Sequence, residues 1–314
     1  MTKKPYVYIT RQLPEDIIDE LRKSFDVGMW DSEMIPVPRE TLLEEAKKAD
    51  ALLTMLSDRI DEELLRQSPH LQVVANLAVG YDNIDVDFAS KRGIAICNTP
   101  DILTDTTADL TFSLLLMTAR KLVQAVDYVK AGNWKGWGPL LLAGSDVHHK
   151  TIGIVGMGKI GEAVAQRAKG FDMKILYYNR NRKPEAEKRL GATYCSFEKL
   201  IEESDFVVSL LPLTEETKGM FTKDVFKRMK KTAFFINAGR GAVVDEKALI
   251  EALKEGEIAG CGLDVFEKEP IDSSHPLLQM EQVVALPHIG SSSVETRRKM
   301  MVRCCDNIER ILQG

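Results

Sequence analysis

The chain has 314 residues, of which 44% are hydrophobic and 28% charged, and its formal net charge is −5. It contains no low-complexity tract and no internal repeat, which excludes fibrous and largely disordered classes. The absence of a basic stripe argues against nucleic acid as a partner. We expect neither a secretory signal nor a membrane anchor, because the first residues run directly into a strand-like segment and no window reaches membrane-spanning length.

The first third of the chain alternates short apolar runs with amphipathic segments, which predicts parallel strands joined by helices. The predicted strands are Tyr6–Thr10, Ala51–Thr54, Val73–Ala78 and Ile94–Asn98. The predicted helices are 14–24, 39–48 and 60–67. A long helix over 102–130 follows.

A second series of strands begins at Thr151. Its predicted strands are Ile152–Val155, Ile175–Tyr178, Phe206–Leu211, Ala233–Asn237, Gly260–Val265 and Val283–Leu286. Its predicted helices are 160–170, 184–190, 197–203, 222–229, 245–255 and a final one over 293–312. Runs such as FVVSLL and AFFIN are apolar on both faces, as in strands covered by helices. We therefore predict an α/β fold of two doubly wound parallel-sheet domains, Rossmann-like or flavodoxin-like.

The domain boundaries are predicted from two prolines, Pro100 and Pro287, which end the two series. Proline restricts its own backbone and that of the preceding residue, so both positions suit chain crossings. We predict a substrate-binding domain formed by 1–99 and 288–314, with a dinucleotide-binding domain, 100–287, inserted. Two crossings also predict a hinge that closes over the substrate.

A strand, the motif Gly156-x-Gly158-x-x-Gly161 and a helix that opens with Lys159 and Ile160 follow one another from Thr151. The first glycine permits a tight turn, the second lets the backbone approach a pyrophosphate, and the third lets helix and strand pack closely. The helix N-terminus adds N–H donors for that pyrophosphate. Because strand, turn, helix and next strand are all in place, the motif predicts a nicotinamide dinucleotide site.

The end of the next strand predicts which dinucleotide is bound. NAD sites usually carry Asp or Glu there to bind the ribose 2′-hydroxyl. This chain instead has Asn179, Arg180, Asn181, Arg182 and Lys183. Since two guanidinium groups suit a 2′-phosphate, we predict a preference for NADPH, with NADH as the alternative cofactor. The alternative interpretation is that these side chains form a solvated basic loop that binds no phosphate.

Three further candidate residues follow predicted strands: Arg240, Glu269 and His288. Ligands of doubly wound sheets bind at the carboxyl ends of the strands. An arginine binds and polarises a keto acid, a histidine protonates the forming alkoxide, and a carboxylate holds the imidazolium. Each residue alone is compatible with a purely structural role, but the three together predict reduction of a 2-keto acid. We assign structural roles to the other histidines, which are His70, His148, His149 and His275.

The motifs LLTMLSDRID, NLAVGYDNID, TPDILTDTTAD, GIVGMGKIG, NAGRGAVVD, GLDVFEKEP and PHIGSSS occur in this order over nearly the whole chain. The chain resembles the D-isomer-specific 2-hydroxyacid dehydrogenases, and among them most of all the glyoxylate/hydroxypyruvate reductases. The resemblance implies that Arg240 anchors the substrate, Glu269 pairs with the histidine and His288 is the acid/base. It implies that Val79 and Gly80 offer backbone N–H groups to the substrate carboxylate. The cofactor contacts that it implies are Thr107, Leu211, Pro212, Ala238, Gly239, Arg240, Asp264, His288 and Gly290.

Two other interpretations remain open at this point. One is a broader 2-keto acid reductase, acting for example on 2-ketogluconate. Another is a dinucleotide-sensing binding protein, because some relatives are corepressors. Formate dehydrogenases of this superfamily have glutamine where Glu269 stands, which disfavours that branch.

An apolar stripe with roughly helical spacing runs through the predicted long helix. Its members are Leu110, Leu114, Met117, Leu122, Ala125 and Val129. We predict a homodimer, since the resemblance implies pairing through this helix and the arm Trp134–Leu142. The alternative is that the stripe packs inside its own domain.

The five cysteines lack the spacing of a metal site, and their odd number fits free thiols in a reducing cytosol. They are Cys97, Cys195, Cys261, Cys304 and Cys305. We predict a cytoplasmic protein without a bound metal.

Overall fold

The computed structural model describes residues 4–314, so the first three residues of the predicted substrate-binding domain lie outside it. The chain divides into two compact units: residues up to Leu103 together with Ser293–Gly314, and Thr104–Ser292. These limits lie a few residues beyond the expected ones, and His288 therefore belongs to the larger unit. Among residues 4–314, no helix combines the length and apolar character that a membrane crossing demands.

The smaller unit contains a five-stranded parallel sheet with the order β2-β1-β3-β4-β5. Its strands are β1 Tyr6–Ile9, β2 Asp26–Met29, β3 Ala51–Thr54, β4 Val73–Asn76 and β5 Ala95–Cys97. Its first helices are α1 Glu15–Ser24, α2 Arg39–Ala46, α3 Glu62–Arg66 and α4 Val86–Lys91. The last helix of the chain, Val294–Gln313, returns to this unit and packs against β3, β4 and α1.

The larger unit begins with α5 Thr104–Ala119 and α6 Leu122–Lys130 and contains a seven-stranded parallel sheet. Its strands are β6 Thr151–Val155, β7 Lys174–Tyr178, β8 Thr193–Tyr194, β9 Phe206–Ser209, β10 Phe234–Asn237, β11 Gly260–Leu263 and β12 Val283–Ala285. The helices between them are α7 Lys159–Lys169, α8 Pro184–Leu190, α9 Phe197–Glu203, α10 Lys223–Arg228 and α11 Glu246–Glu255. Both sheets being parallel and helix-covered, the predicted α/β fold of two parallel-sheet domains is confirmed.

The larger sheet has a hydrophobic core on each face. Phe234 and Ile236 of β10 belong to one core, and Phe235 between them belongs to the other. This alternation follows from the two-residue period of a strand and explains why AFFIN is apolar throughout.

The strand order of the larger sheet, β12-β11-β10-β9-β6-β7-β8, reverses direction between β6 and β9. In open α/β sheets ligands bind in the crevice at this reversal, beyond the carboxyl ends of the strands. Gly156 follows β6 and Leu210 follows β9, so the glycine motif lies at the reversal.

Several elements differ from the predicted ones. The single helix expected over 102–130 is two helices, because Lys121 adopts a left-handed conformation with φ 53°. Strands β2 and β8 and helix α4 were not predicted. Strand β2 is a partly exposed edge strand and β8 has two exposed residues, so neither shows a continuous apolar run.

Candidate active site

The loop after β6 has the shape that a dinucleotide pyrophosphate requires. Gly156 has φ +104°, which side-chain-bearing residues rarely adopt, and a Cβ there would lie 2.9 Å from the Leu210 oxygen. A Cβ on Gly161 would lie 2.3 Å from the Gly156 oxygen, so α7 packs directly on the turn. Gly158 is the N-cap of α7, has no side-chain cap, and faces open space. The residues present therefore fit a phosphate at the helix N-terminus.

The two arginines after β7 differ in their partners. Arg182 Nε and Nη2 donate to Glu187 Oε1 and Oε2, each at 2.8 Å, so its guanidinium fork is occupied. Within residues 4–314, the Arg180 guanidinium makes no hydrogen bond or ion pair. The hydrogen bonds from Arg182 and from Tyr177 lower the pKa of Glu187 to about 2, which keeps this carboxylate ionised. The sequence predicts Arg180 and Arg182 as phosphate ligands that need not contribute equally; in the structure the fork of Arg182 is bound to Glu187.

The loop after β10 brings Arg240 to the strand ends. Asn237 holds this loop, since its Nδ2 donates to the Arg240 oxygen at 3.0 Å and its Oδ1 accepts from Gly239 N at 3.1 Å. A Cβ on Gly241 would lie only 1.8 Å from the Phe266 carbonyl carbon, so only glycine permits this approach. The close contact packs the loop that carries Arg240 against the loop that carries Glu269.

His288 and Glu269 form the predicted pair, with 2.6 Å between Nδ1 and Oε2. The other oxygen of Glu269 accepts from Phe266 N at 2.9 Å, which orients the carboxylate. Burial alone would raise the pKa of Glu269, but the hydrogen bond and charge of His288, the Phe266 N–H and the charge of Arg240 hold it below its usual value. The lowered pKa keeps this carboxylate ionised through the ordinary glutamate titration range and above it.

Asp264 holds the turn on which His288 lies, a role that the sequence did not suggest. Its carboxylate, 1% exposed, accepts from Ile289 N and Gly290 N at 2.8 Å each, and its backbone oxygen accepts from His288 N at 2.9 Å. His288 has φ 53°, a left-handed conformation that costs an ordinary residue about 1–2 kcal/mol. Such strain marks functional positions, and here it is maintained by the buried carboxylate.

Other predicted contact residues lie near these elements. A Cβ on Gly290 would lie 3.2 Å from both Asp264 Oδ2 and Thr107 Cγ2, which places Thr107 beside the Asp264 carboxylate. A Cβ on Gly239 would lie 2.6 Å from the Leu211 oxygen, so the loops after β9 and β10 touch. Ala238 is half-buried on the latter loop and Pro212 is exposed on the former. Val79 and Gly80 belong to the smaller unit, on the loop after β4, and both are half-buried.

A doubly wound sheet with a glycine turn at its reversal, and a paired histidine and glutamate at neighbouring strand ends, defines a dinucleotide-dependent oxidoreductase. Residues 112–290 match the sequence model of the D-isomer specific 2-hydroxyacid dehydrogenase, NAD binding domain. The chain therefore belongs to the D-isomer specific 2-hydroxyacid dehydrogenase family. Enzymes of this family act on small 2-hydroxy or 2-keto acids with a nicotinamide dinucleotide.

Three relatives illustrate the similarity. The glyoxylate reductase of Thermococcus kodakarensis is 53% identical, over 99% of this chain and 94% of the relative. A crystal structure of a Thermus thermophilus protein superposes with a TM-score of 0.92 at 40% identity and covers 98% of this chain and 97% of that one. The NADPH-dependent glyoxylate/hydroxypyruvate reductase of Sinorhizobium meliloti, solved with NADP and malonate, gives 0.87 at 32% identity, over 99% and 95% of the two chains.

Proposed function

We propose that this protein reduces glyoxylate, and hydroxypyruvate as a related substrate, to glycolate and D-glycerate with NADPH. The observation that carries the proposal is the 2.6 Å pair of His288 and Glu269 on a loop system shared with Arg240. A relative 53% identical over almost the whole chain bears the name glyoxylate reductase, which supports the choice of substrate.

His288 is the proton donor in the proposed reaction. Its Nδ1 is directed at Glu269, so the proton that leaves the imidazolium is the one on Nε2. Reduced nicotinamide, when bound, supplies the hydride that the keto carbon accepts. The Nε2 proton goes to the carbonyl oxygen, which completes the 2-hydroxy acid, and solvent reprotonates the histidine.

Arg240 binds the substrate carboxylate and polarises the keto group. A guanidinium is planar, always charged and able to hold a carboxylate with two parallel hydrogen bonds. In this proposal Val79 and Gly80 add backbone N–H donors to the same carboxylate. Asp264 binds the nicotinamide carboxamide in addition to holding the histidine turn.

NADPH preference is proposed from the loop after β7, where Asn179 takes the position of the usual carboxylate. Its Nδ2 donates to the Asn181 oxygen at 2.9 Å, so its side chain folds onto its own loop and leaves no negative charge there. Arg180 is the principal phosphate ligand, because the guanidinium of Arg182 is bound to Glu187. NADH is the weaker alternative cofactor.

A spectrophotometric assay of NADPH oxidation against a panel of 2-keto acids tests the proposal. We expect the highest kcat/KM with glyoxylate or hydroxypyruvate. A maximum with 2-ketogluconate would instead assign a broader 2-keto acid reductase. Dinucleotide binding without turnover of any keto acid would assign a sensing protein and refute the proposal.

A homodimer is proposed from the exposed apolar side chains of α6 and the arm 134–142. Of the predicted stripe on α5, Leu114 is fully buried in its own unit, whereas Leu110 and Met117 are half-buried. Helix α6 has no buried residue and exposes Leu122, Val126 and Val129. On the arm, Trp137 is 86% exposed. Light scattering should give twice the chain mass, and Val126→Glu should give the monomer; a monomeric unmodified protein contradicts this proposal.

A further inference from the structure

In the loop that joins β4 to α4, successive backbone carbonyl groups each accept a hydrogen bond. Asn98 Nδ2 donates to the Val79 oxygen at 2.8 Å, and Asn76 Nδ2 donates to the Gly80 oxygen at 3.0 Å. The Ala78 oxygen accepts both from Thr99 N at 2.9 Å and from Thr99 Oγ1 at 3.1 Å. Each of three successive carbonyls therefore has a partner from outside the loop tip.

Three backbone N–H groups of the same loop, unlike these carbonyl groups, have no hydrogen-bond partner among the described residues. Over residues 4–314, the backbone N–H groups of Val79, Gly80 and Tyr81 donate to no protein acceptor. A planar trans peptide holds each carbonyl antiparallel to the N–H of the next residue. Fixing the carbonyls of 78, 79 and 80 thus fixes the directions of the N–H groups of 79, 80 and 81. Successive oriented N–H groups are an established way to bind an anion.

The amide of Asn76 is itself fixed by its neighbours. Thr54 Oγ1 donates to Asn76 Oδ1 at 3.0 Å, which leaves Nδ2 as the end that faces the loop. Asn83 Oδ1 accepts from Asn76 Nδ2 at 3.1 Å, and Asn83 Nδ2 donates to the Asp58 oxygen at 2.9 Å. Asp58 is buried and paired with the buried Arg11. The loop is therefore held by a buried polar network whose last member is Asn76.

We propose that Asn98 and Asn76 are positioning residues that aim the N–H groups of Gly80 and Tyr81 at the substrate carboxylate. Neither touches the substrate; each acts through the peptide whose carbonyl it holds. The inference rests on the proposed function, in which Val79 and Gly80 bind that carboxylate, and it adds the Tyr81 N–H as a third donor. Neutral amides suit this task because they hold a carbonyl without placing a negative charge beside an anionic substrate.

The substitution Asn98→Leu keeps the side-chain size and removes the donor on which Val79 depends. Hydrogen bonds to a charged carboxylate are stronger than those to a neutral amide. Kinetics with a 2-keto acid and with the matching 2-keto amide therefore separate positioning from general damage. We expect Asn98→Leu to raise KM for the acid about tenfold, to lower the acid-to-amide ratio of kcat/KM by a similar factor, and to leave the Kd for NADPH unchanged.

Two further variants grade this effect. Thr99→Val removes one of the two donors to the Ala78 oxygen and leaves the backbone donor, so we expect less than about threefold change in the same ratio. Ser68→Ala is the control for structural damage, because it removes a buried hydrogen bond to the Leu64 oxygen elsewhere in this unit. It should lower Tm and leave the acid-to-amide ratio unchanged. Asn98→Ala replaces the leucine variant if that protein does not fold.

Calorimetric titration with oxalate, an anion that resembles the keto acid, provides a readout independent of turnover. We expect Asn98→Leu to weaken oxalate binding about tenfold and Ser68→Ala to leave it intact. If the unmodified protein reduced no 2-keto acid, the proposed function would fail and the titration would still test the inference. An unaltered ratio and oxalate affinity in Asn98→Leu, or equal losses in Ser68→Ala, would overturn it.

Discussion

Two loops of this protein use backbone hydrogen bonds in opposite ways. In the turn of His288, the N–H groups of Ile289 and Gly290 are occupied by the Asp264 carboxylate, and a side chain is presented. In the loop after β4, the carbonyls of Val79 and Gly80 are occupied by asparagine amides, and the N–H groups are left to bind. In the proposed site, a buried acid suits a turn that presents the proton donor, whereas neutral amides suit a loop that receives an anion.

This difference divides the expected effects of substitution. In the proposed mechanism, residues that hold the histidine turn act on the chemical step, so their variants should change kcat. Residues that hold the loop after β4 act there on substrate binding, so their variants should change KM. Asn98→Leu represents the second group, and His288→Ala, which removes the side chain that the first loop presents, should have the larger effect on kcat.

His288→Ala removes the group that the first loop presents. We expect kcat to fall about 10²–10⁴-fold, the usual contribution of general acid catalysis, while the Kd for NADPH stays nearly unchanged. Steady-state kinetics and fluorescence titration measure the two quantities. His148→Ala is the matched control, because that side chain is 60% exposed. A near-normal kcat in His288→Ala would remove the proposed role.

Arg240→Lys tests whether one residue contributes to both binding and chemistry. Lysine keeps the charge and loses the planar fork, so KM for the keto acid should rise and kcat should fall together, by about tenfold or more in kcat/KM. Arg228→Lys, at an exposed pair with Glu202, is the control. Changes below about twofold in both constants would give Arg240 a purely structural role.

Glu269→Gln tests the charge beside the histidine. The pKa of Glu269 lies below its usual value, so the negative charge is present above the ordinary carboxyl range and is lost only as pH falls through the lowered pKa. Glutamine lacks the charge at every pH, and the imidazolium loses its partner. The decline in reduction rate at high pH should therefore begin at lower pH.

The chain offers a second carboxylate–histidine pair as a control for that profile. Asp146 Oδ1 lies 3.8 Å from His148 Nε2, and both side chains are exposed. Asp146→Asn should leave the pH profile unchanged. Identical profiles for Glu269→Gln and the unmodified enzyme would mean that the pair does not tune the proton donor.

Arg180→Ala and Arg182→Ala form a matched pair in a single loop. We expect Arg180→Ala to raise KM for NADPH about tenfold and Arg182→Ala to raise it less, since Glu187 already occupies the second guanidinium. KM for NADH should barely change in either variant, and added salt should weaken NADPH binding more than NADH binding. Equal kcat/KM for the two cofactors in the unmodified enzyme would refute the preference.

The sequence predicted those features that repeat a local pattern. Strands such as Ala51–Thr54 and helices such as Phe197–Glu203 appear at the predicted residues, because their apolar periods are uninterrupted. The glycine turn and the His288–Glu269 pair followed from motifs at strand ends.

Features that depend on distant partners were not predictable from local patterns. The break at Lys121 lacks glycine and proline, so no residue there indicates a left-handed backbone. Asn98 meets the Val79 carbonyl across 19 positions, and Asp264 meets the N–H groups of residues 25 and 26 positions away. Such contacts require the tertiary fold.

The division of the long helix at Lys121 has a consequence for local stability. Helix α6 has nine residues and no buried side chain, and helices shorter than about 12–15 residues are marginal in water by themselves. Its amide hydrogens should exchange with solvent far faster than those of α5, whose Leu114 and Leu115 are fully buried. If the exposed face is covered by a second chain, that exchange should slow as protein concentration rises, so amide exchange along Leu122–Lys130 reports assembly residue by residue.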